Sequence, residues 1–159
     1  MSPLLHAFSG SVLSSALWHD GVLHLPKPLV EAHRDYLIEN GWMGKYDPTG
    51  SAGTIGGASA EEACDHVVNR FLNSAARMQY VCSDPKDEQA DVRDSVLDQL
   101  AEGRIHVIDI AAGNGAGTIS MLSLICELRR MGSIPKLPLN VGITAVDFSP
   151  AALNHFAAL

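Results

Sequence analysis

The stretch that decides the fold is His106-Val-Ile-Asp-Ile-Ala-Ala-Gly-Asn-Gly-Ala-Gly-Thr118. Residues 105–111 form a short apolar run interrupted only by His106 and Asp109, which predicts a buried parallel strand. The alternating glycines that follow predict a tight turn, where a ligand can approach the backbone without meeting a Cβ atom. The apolar residues 118–131 predict a helix, and the free N–H groups at its start would favour an anion.

A second strand and a second helix are predicted after this unit. Residues 139–146 have the composition of a strand. Ser149-Pro150 is typical of a helix start, because serine caps free N–H groups and proline fits the first turn. The order strand, turn, helix, strand, helix indicates an α/β protein and the beginning of a doubly wound sheet.

The N-terminal part of the chain is predicted to be helical and then irregular. Within the N-terminal helical segment, residues 1–41, apolar side chains recur at helical spacing over residues 4–17 and again over residues 29–37, which follow Pro28. Residues 42–58 are rich in glycine, whose backbone entropy disfavours regular structure, so a mobile loop or a linker is expected there.

Residues 59–103 are expected to form two helices. Ser59 and Glu62 match a capping box, and the apolar spacing after them predicts one helix over residues 60–80. Asp84-Pro85 marks the start of the second helix. Its charged side chains are predicted to form a solvated face: Asp87, Glu88, Asp91, Arg93 and Asp94.

Two carboxylates and one missing glycine narrow the range of ligands that the glycine turn could bind. Asp109 precedes the turn, and Asp147 ends the next strand, where a carboxylate can accept both hydroxyls of a ribose. A dinucleotide turn has the pattern Gly-x-Gly-x-x-Gly, but Thr118 stands at the third glycine position after Gly113 and Gly115. The residues favour a nucleotide-like ligand, and an NAD(P)-dependent reductase is the weaker alternative.

Two segments resemble motifs of one enzyme family. Residues 107–115, Val-Ile-Asp-Ile-Ala-Ala-Gly-Asn-Gly, resemble the first motif of Rossmann-like S-adenosylmethionine-dependent methyltransferases, and residues 146–150, Val-Asp-Phe-Ser-Pro, resemble their second. The resemblance covers residues 104–156. It implies a cofactor site made of Asp109, Ala111, Gly113, Asn114, Gly115, Asp147 and Phe148.

The resemblance also implies a role for most of these residues. Gly113 and Gly115 would lie against the methionyl and ribose parts of S-adenosylmethionine, and Asp109 would orient the turn and the amino group of the ligand. Asp147 would bind the ribose hydroxyls. Phe148 would pack on the adenine. At the position of Ala111 the family usually has its first glycine, and a methyl group fits there if φ is negative.

The same resemblance implies that residues 104–159 are the first half of a Rossmann-like domain, truncated in this chain. The sheet of the family has seven strands, whereas two are predicted here, so the parent protein is expected to be the methyltransferase and the fragment alone to be inactive. The helices of residues 59–103 would cap the cofactor, with Arg77 and Tyr80 able either to contact it or only to end their helix. No catalytic residue can be assigned.

The alternative is that the chain has no catalytic function. A truncated product or an assembly module would keep the half-fold, and a second copy or a partner chain would pair with its open sheet edge.

The composition excludes several classes of protein. The chain has 159 residues, a net charge of −7 and no long basic cluster, so a small molecule or a protein is favoured over nucleic acid as the methyl acceptor. No apolar run approaches the roughly 18 residues of a membrane span, and no secretory signal is expected. Three cysteines without a CxxC pair and seven histidines without ligand spacing predict a cytoplasmic protein without a metal site.

Overall fold

The computed structural model describes residues 17–48, 57 and 59–159. These residues form a mixture of helices and two small sheets. The helices are α1 (Lys27–Glu39), α2 (Ala60–Asn69), α3 (Phe71–Ser83), α4 (Ala90–Ala101), α5 (Ala116–Met131) and α6 (Pro150–Ala158), with a 3₁₀ turn at Met43–Lys45. The strands are β1 (Trp18–His19), β2 (Val22–Leu23), β3 (Arg104–Ile110) and β4 (Asn140–Val146). Within this part of the chain, no helix combines the length and the apolar composition of a membrane span.

A short hairpin stands where the sequence predicted helix. Strands β1 and β2 pair antiparallel, and Asp20 and Gly21 between them have positive φ values of 50° and 76°, as a tight hairpin turn requires. The helical prediction for residues 1–41 is therefore wrong at this hairpin, whereas α1 confirms the helix predicted next. The helix predicted over residues 4–17 lies outside the described residues, apart from its last one.

Helices α2 and α3 divide a segment that was predicted as one helix. The Oγ atom of Ser59 accepts the N–H of Glu62 at 3.1 Å, which confirms the predicted cap. The single helix over residues 60–80 is wrong, because Arg70 leaves helical geometry with a φ of −124° and separates α2 from α3. Most of the predicted Gly-rich loop, residues 42–58, lies outside the described residues.

The first core cluster joins α1, α2 and α3 around Phe71. This side chain is 1% exposed, and its ring stacks on His33 with 5.0 Å between centroids. His33 donates a hydrogen bond from Nε2 to the carbonyl of Val67 at 2.7 Å. Burial lowers the pKa of His33, against the effect of that hydrogen bond, and favours the neutral ring. The cluster contains Leu29, Leu37, Val67, Val68, Phe71, Ala75 and Ala116.

Helix α4 begins later than predicted because Asp84 occupies the junction before it. Asp84 ends α3 in the left-handed conformation, and its carboxylate accepts the N–H of Glu88 at 3.0 Å and that of the next residue at 2.6 Å. The predicted solvated face is wrong for Arg93, which is buried and paired with Asp87 and Asp94.

Strands β3 and β4 pair in parallel, and α5 connects them. Their register ends with Ile110 opposite Val146, which confirms the two predicted strands. Ser149 caps α6 as expected, since its Oγ atom accepts the N–H of Ala152 at 3.2 Å. One side of β3 packs on a second core cluster, which contains Leu17, Cys82, Leu97, Leu100, Leu124, Ile125, Leu128 and Ile134.

The doubly wound, Rossmann-like sheet expected from the sequence is wrong for the described part of the chain. Strands β3 and β4 pair only with each other there, and the other sheet is the antiparallel hairpin. Ile105 packs on the second core cluster, whereas Ile108 and Ile110 on the opposite side of β3 are 66% and 77% exposed. Helices thus cover one side of the strand pair, whereas a doubly wound sheet needs them on both sides.

Candidate functional site

A cleft of about 700 Å³ opens where β3 and β4 end and α5 begins. Its volume lies within the range of small-molecule pockets, about 300–1,000 Å³. Six of the seven residues predicted for the cofactor site line this cleft: Asp109, Ala111, Gly113, Asn114, Asp147 and Phe148. The fold therefore brings the two motifs together at one opening.

Gly115 faces α6 and does not line the cleft. It has a φ of 76°, and a Cβ atom built on it would overlap the ring of Phe156. Gly113 has a φ of 55°, and a Cβ atom there would meet nothing within 4 Å. Gly115 is therefore explained by close packing of the turn on α6, while Gly113 leaves open space beside the backbone.

Ala111 adopts a backbone conformation that the sequence did not lead us to expect. Its φ is 60°. The condition stated for a methyl group at this position, a negative φ, is therefore not met. A left-handed conformation costs a residue with a Cβ atom about 1–2 kcal/mol relative to a right-handed one. Such strain is typical of binding sites, where the surrounding structure maintains it.

The two carboxylates of the site are held by hydrogen bonds from the backbone and from a hydroxyl. Asp147 accepts the N–H of Gly113 through Oδ2 at 2.8 Å and the N–H of Ser149 through Oδ1 at 2.8 Å. Asp109 accepts the hydroxyl of Thr118 through Oδ2 at 2.6 Å. Asp147 thus links the turn after β3 to the start of α6, and Asp109 links β3 to α5.

Helix α3 supplies a wall of the cleft that the motifs do not reveal. The lining residues Ser74, Arg77, Met78 and Val81 have the spacing of one helical face, which lies beside the buried face that begins at Phe71. Met78 and Val81 are apolar but exposed. Two apolar residues three positions apart, off the buried face of the helix, were the sequence signal that could have found this wall.

Only part of residues 59–103, the region expected to cap the cofactor, lies at the cleft. His66 of α2 also lines the cleft, whereas no residue of α4 does. Of the two residues noted near the end of the predicted first helix, Arg77 lines the cleft and Tyr80 does not. The ring of Tyr80 packs against Trp18 with 6.4 Å between centroids.

The arrangement offers complementary groups to a small polar ligand. Asp109 and Asp147 provide acceptors, Arg77 provides a cation, and Phe148 provides an aromatic face that is 72% exposed. Among the described residues, no cluster of histidine, cysteine, aspartate or glutamate is suited to hold a metal ion. No protein-family model matches the chain, and no curated protein or solved structure is significantly similar to it.

Proposed function

We propose that the cleft binds S-adenosylmethionine and that the chain is the cofactor-binding part of a methyltransferase. The observation that carries the proposal is the position of Asp147, whose carboxylate lies against the glycine turn, 2.8 Å from the amide nitrogen of Gly113. A ribose bound beside that turn would meet the carboxylate. The motif resemblance supports the same ligand.

The hydrogen bonds of Asp147 leave room for a ribose. Each carboxylate oxygen has two acceptor positions, and each oxygen of Asp147 uses one of them for a backbone N–H. Two acceptor positions therefore remain for the 2′- and 3′-hydroxyls. Phe148 lies next in the chain, and its exposed ring offers a surface on which the adenine would stack.

After cofactor binding, methyl transfer needs mainly the alignment of the acceptor nucleophile with the sulfonium. Methyl transfer is an in-line displacement at the sulfonium, and orientation supplies much of its rate enhancement. We propose a small molecule or a protein as the acceptor, since the chain has a net charge of −7. A cytoplasmic location belongs to the same proposal and is supported by three cysteines that form no disulfide.

Isothermal titration of the full chain with S-adenosylmethionine tests this function. We expect saturable binding to the wild type and at least about tenfold weaker binding to Asp147→Ala, because charge-assisted hydrogen bonds to the ribose are lost. Asp35→Ala is the matched control, since Asp35 is an exposed carboxylate on α1 that pairs with Arg34. Circular dichroism checks that both variants fold.

Two results would contradict the proposal. One is the absence of any S-adenosylmethionine binding to the wild type. The other is equal weakening by Asp147→Ala and Asp35→Ala. Tighter binding of NADH than of S-adenosylmethionine would instead favour the reductase alternative.

A non-catalytic assembly function is the second candidate, with a second copy of this chain as the partner. The exposed apolar side of the strand pair favours it, because Ile108, Ile110 and Val146 together form an apolar patch of the kind that marks interaction sites. Sedimentation equilibrium should then give a dimer mass that falls to the monomer mass in Ile108→Lys. A wild-type monomer at all concentrations rejects this candidate.

A further inference from the structure

Two further cavities lie between α5 and the segment of residues 17–28. Their volumes are about 500 Å³ and 330 Å³, both within the range of small-molecule pockets, roughly 300–1,000 Å³. They adjoin, because Pro26, Glu127 and Arg130 line both of them. Among the described residues, none that lines these cavities also lines the cleft at the glycine turn. They therefore form a separate candidate site.

The larger of the two, the basic cavity, carries a surplus of positive charge. Lys27 and Arg130 bring two cations to its lining, and Glu127 brings one carboxylate. His19 and His24 add ring nitrogens that can form hydrogen bonds. Two cations against one carboxylate leave one positive charge, in a chain whose net charge is −7. A ligand with a single negative charge would balance it.

The ion pair of Glu127 and Arg130 lies where the two cavities meet. Arg130 donates from Nε to Oε2 of Glu127 at 2.9 Å and from Nη2 to Oε1 at 2.6 Å. These bonds hold the pKa of Glu127 below its usual range, so the carboxylate is charged at neutral pH. They use two of the five N–H donors of Arg130, whose side chain is 67% exposed. The remaining donors can bind an anion.

The smaller of the two, the apolar cavity, is lined mainly by apolar side chains beyond that ion pair. Ile119, Leu122 and Cys126 follow one face of α5, and Pro26 and Pro28 add to the lining. Each methylene group that leaves water for such a surface gains about 0.8 kcal/mol. The apolar cavity therefore suits an aliphatic chain, whose charged end would reach the basic cavity next to it.

We propose that the two cavities together bind an aliphatic monocarboxylic acid, with its carboxylate at Arg130 and Lys27 and its chain against Ile119 and Leu122. One negative charge matches the one surplus positive charge. Lys27 can turn to the ligand, because its pair with Glu31, 3.5 Å long and exposed, is of a kind that contributes little stability. The proposal does not depend on what the cleft at the glycine turn binds.

Isothermal titration with three ligands tests the site. Decanoate has both the charge and the chain, 1-decanol has only the chain, and acetate has only the charge. We expect saturable binding of decanoate below the concentration at which it forms micelles. Binding of 1-decanol should be at least about tenfold weaker, as the loss of one charge-assisted contact implies. Acetate should show no measurable binding.

Two pairs of variants separate the roles of the cavities. Lys27→Gln should weaken decanoate binding about three- to tenfold and leave 1-decanol unchanged, whereas Lys86→Gln, at an exposed lysine before α4, should change neither. Cys126→Trp should abolish binding of both ligands, because the indole fills the apolar cavity, whereas Cys126→Ser should retain it. Circular dichroism checks that each variant folds.

The thiol of Cys126 gives a second measurement on the wild type. It is exposed, so N-ethylmaleimide should alkylate it, and peptide mass spectrometry follows the rate at each cysteine. Saturating decanoate should slow alkylation of Cys126 at least about fivefold and leave the rate at Cys64 unchanged.

Several results would overturn the site. They are the absence of decanoate binding, equal affinities for decanoate and 1-decanol, and saturable decanoate binding that leaves Cys126 unprotected. Tighter binding of inorganic phosphate than of decanoate, lost in Lys27→Gln, would assign the basic cavity to a phosphate and overturn its assignment to a carboxylate.

Discussion

The three helices around Phe71 bury their apolar side chains much more completely than the strand pair β3–β4 does. In the helical part, Phe71 is 1% exposed and the buried His33 has a hydrogen-bond partner at 2.7 Å. In the strand part, Ile110 is 77% exposed and Ala111 is in a left-handed conformation. Stability is therefore expected to come mainly from the helices, and ligand-binding groups from the strand ends.

Truncation of one apolar side chain in each part tests this contrast most strongly. We expect Phe71→Ala to lower the free energy of unfolding by about 3–5 kcal/mol, because it empties a buried volume and removes the ring beneath His33. Ile110→Ala should change it by less than about 0.5 kcal/mol, since that side chain is already in contact with water. Urea denaturation measures both. Similar losses in the two variants would show that the exposed side of β3 is covered in solution.

The two glycines of the turn provide a finer comparison within the strand part. Gly115→Ala should cost about 2–4 kcal/mol, because the new methyl group combines left-handed strain with overlap of the Phe156 ring. Gly113→Ala should cost only about 1 kcal/mol, since strain acts there without a clash. Thermal and urea unfolding of both variants measure the difference. Equal costs would mean that Phe156 does not pack on the turn.

The smallest expected effect is a gain in stability. Ala111→Gly should raise the free energy of unfolding by about 0.5–1 kcal/mol, because relief of left-handed strain exceeds the added entropy of an unfolded glycine. Ala112→Gly, one residue later and without a positive φ, is the matched control and should lower stability. A loss of stability in Ala111→Gly would contradict the backbone conformation described for this turn.

Local patterns predicted the elements around the cleft well. The apolar run before the glycines, the Ser149-Pro150 pair and the Ser59–Glu62 capping box each depend on neighbouring residues only. Each element begins within one residue of its expected start, although the helix after the capping box ends at Asn69. The convergence of Asp109 and Asp147 at one cleft could also be predicted, since parallel strands end at the same edge.

Features that depend on distant contacts could not be predicted in this way. The buried position of Arg93 depends on Asp87, which a loop before α4 carries back to it. Whether both sides of β3 are buried depends on which other elements pack against it. The apolar run of the strand does not specify those elements. The hairpin is different, because Asp20-Gly21 is a strong local turn signal that the helical spacing before it obscured.

The carboxylate of Asp147 has a consequence for the thermodynamics of binding. Its two backbone hydrogen bonds fix the side-chain rotamer when the chain folds, before any ligand arrives. Immobilising a free side chain on association costs about 0.5–1.5 kcal/mol, so this residue is preorganised and a ligand that bonds to it avoids that entropic loss. Loosening either turn by substitution would therefore weaken binding even where every contacting atom is retained.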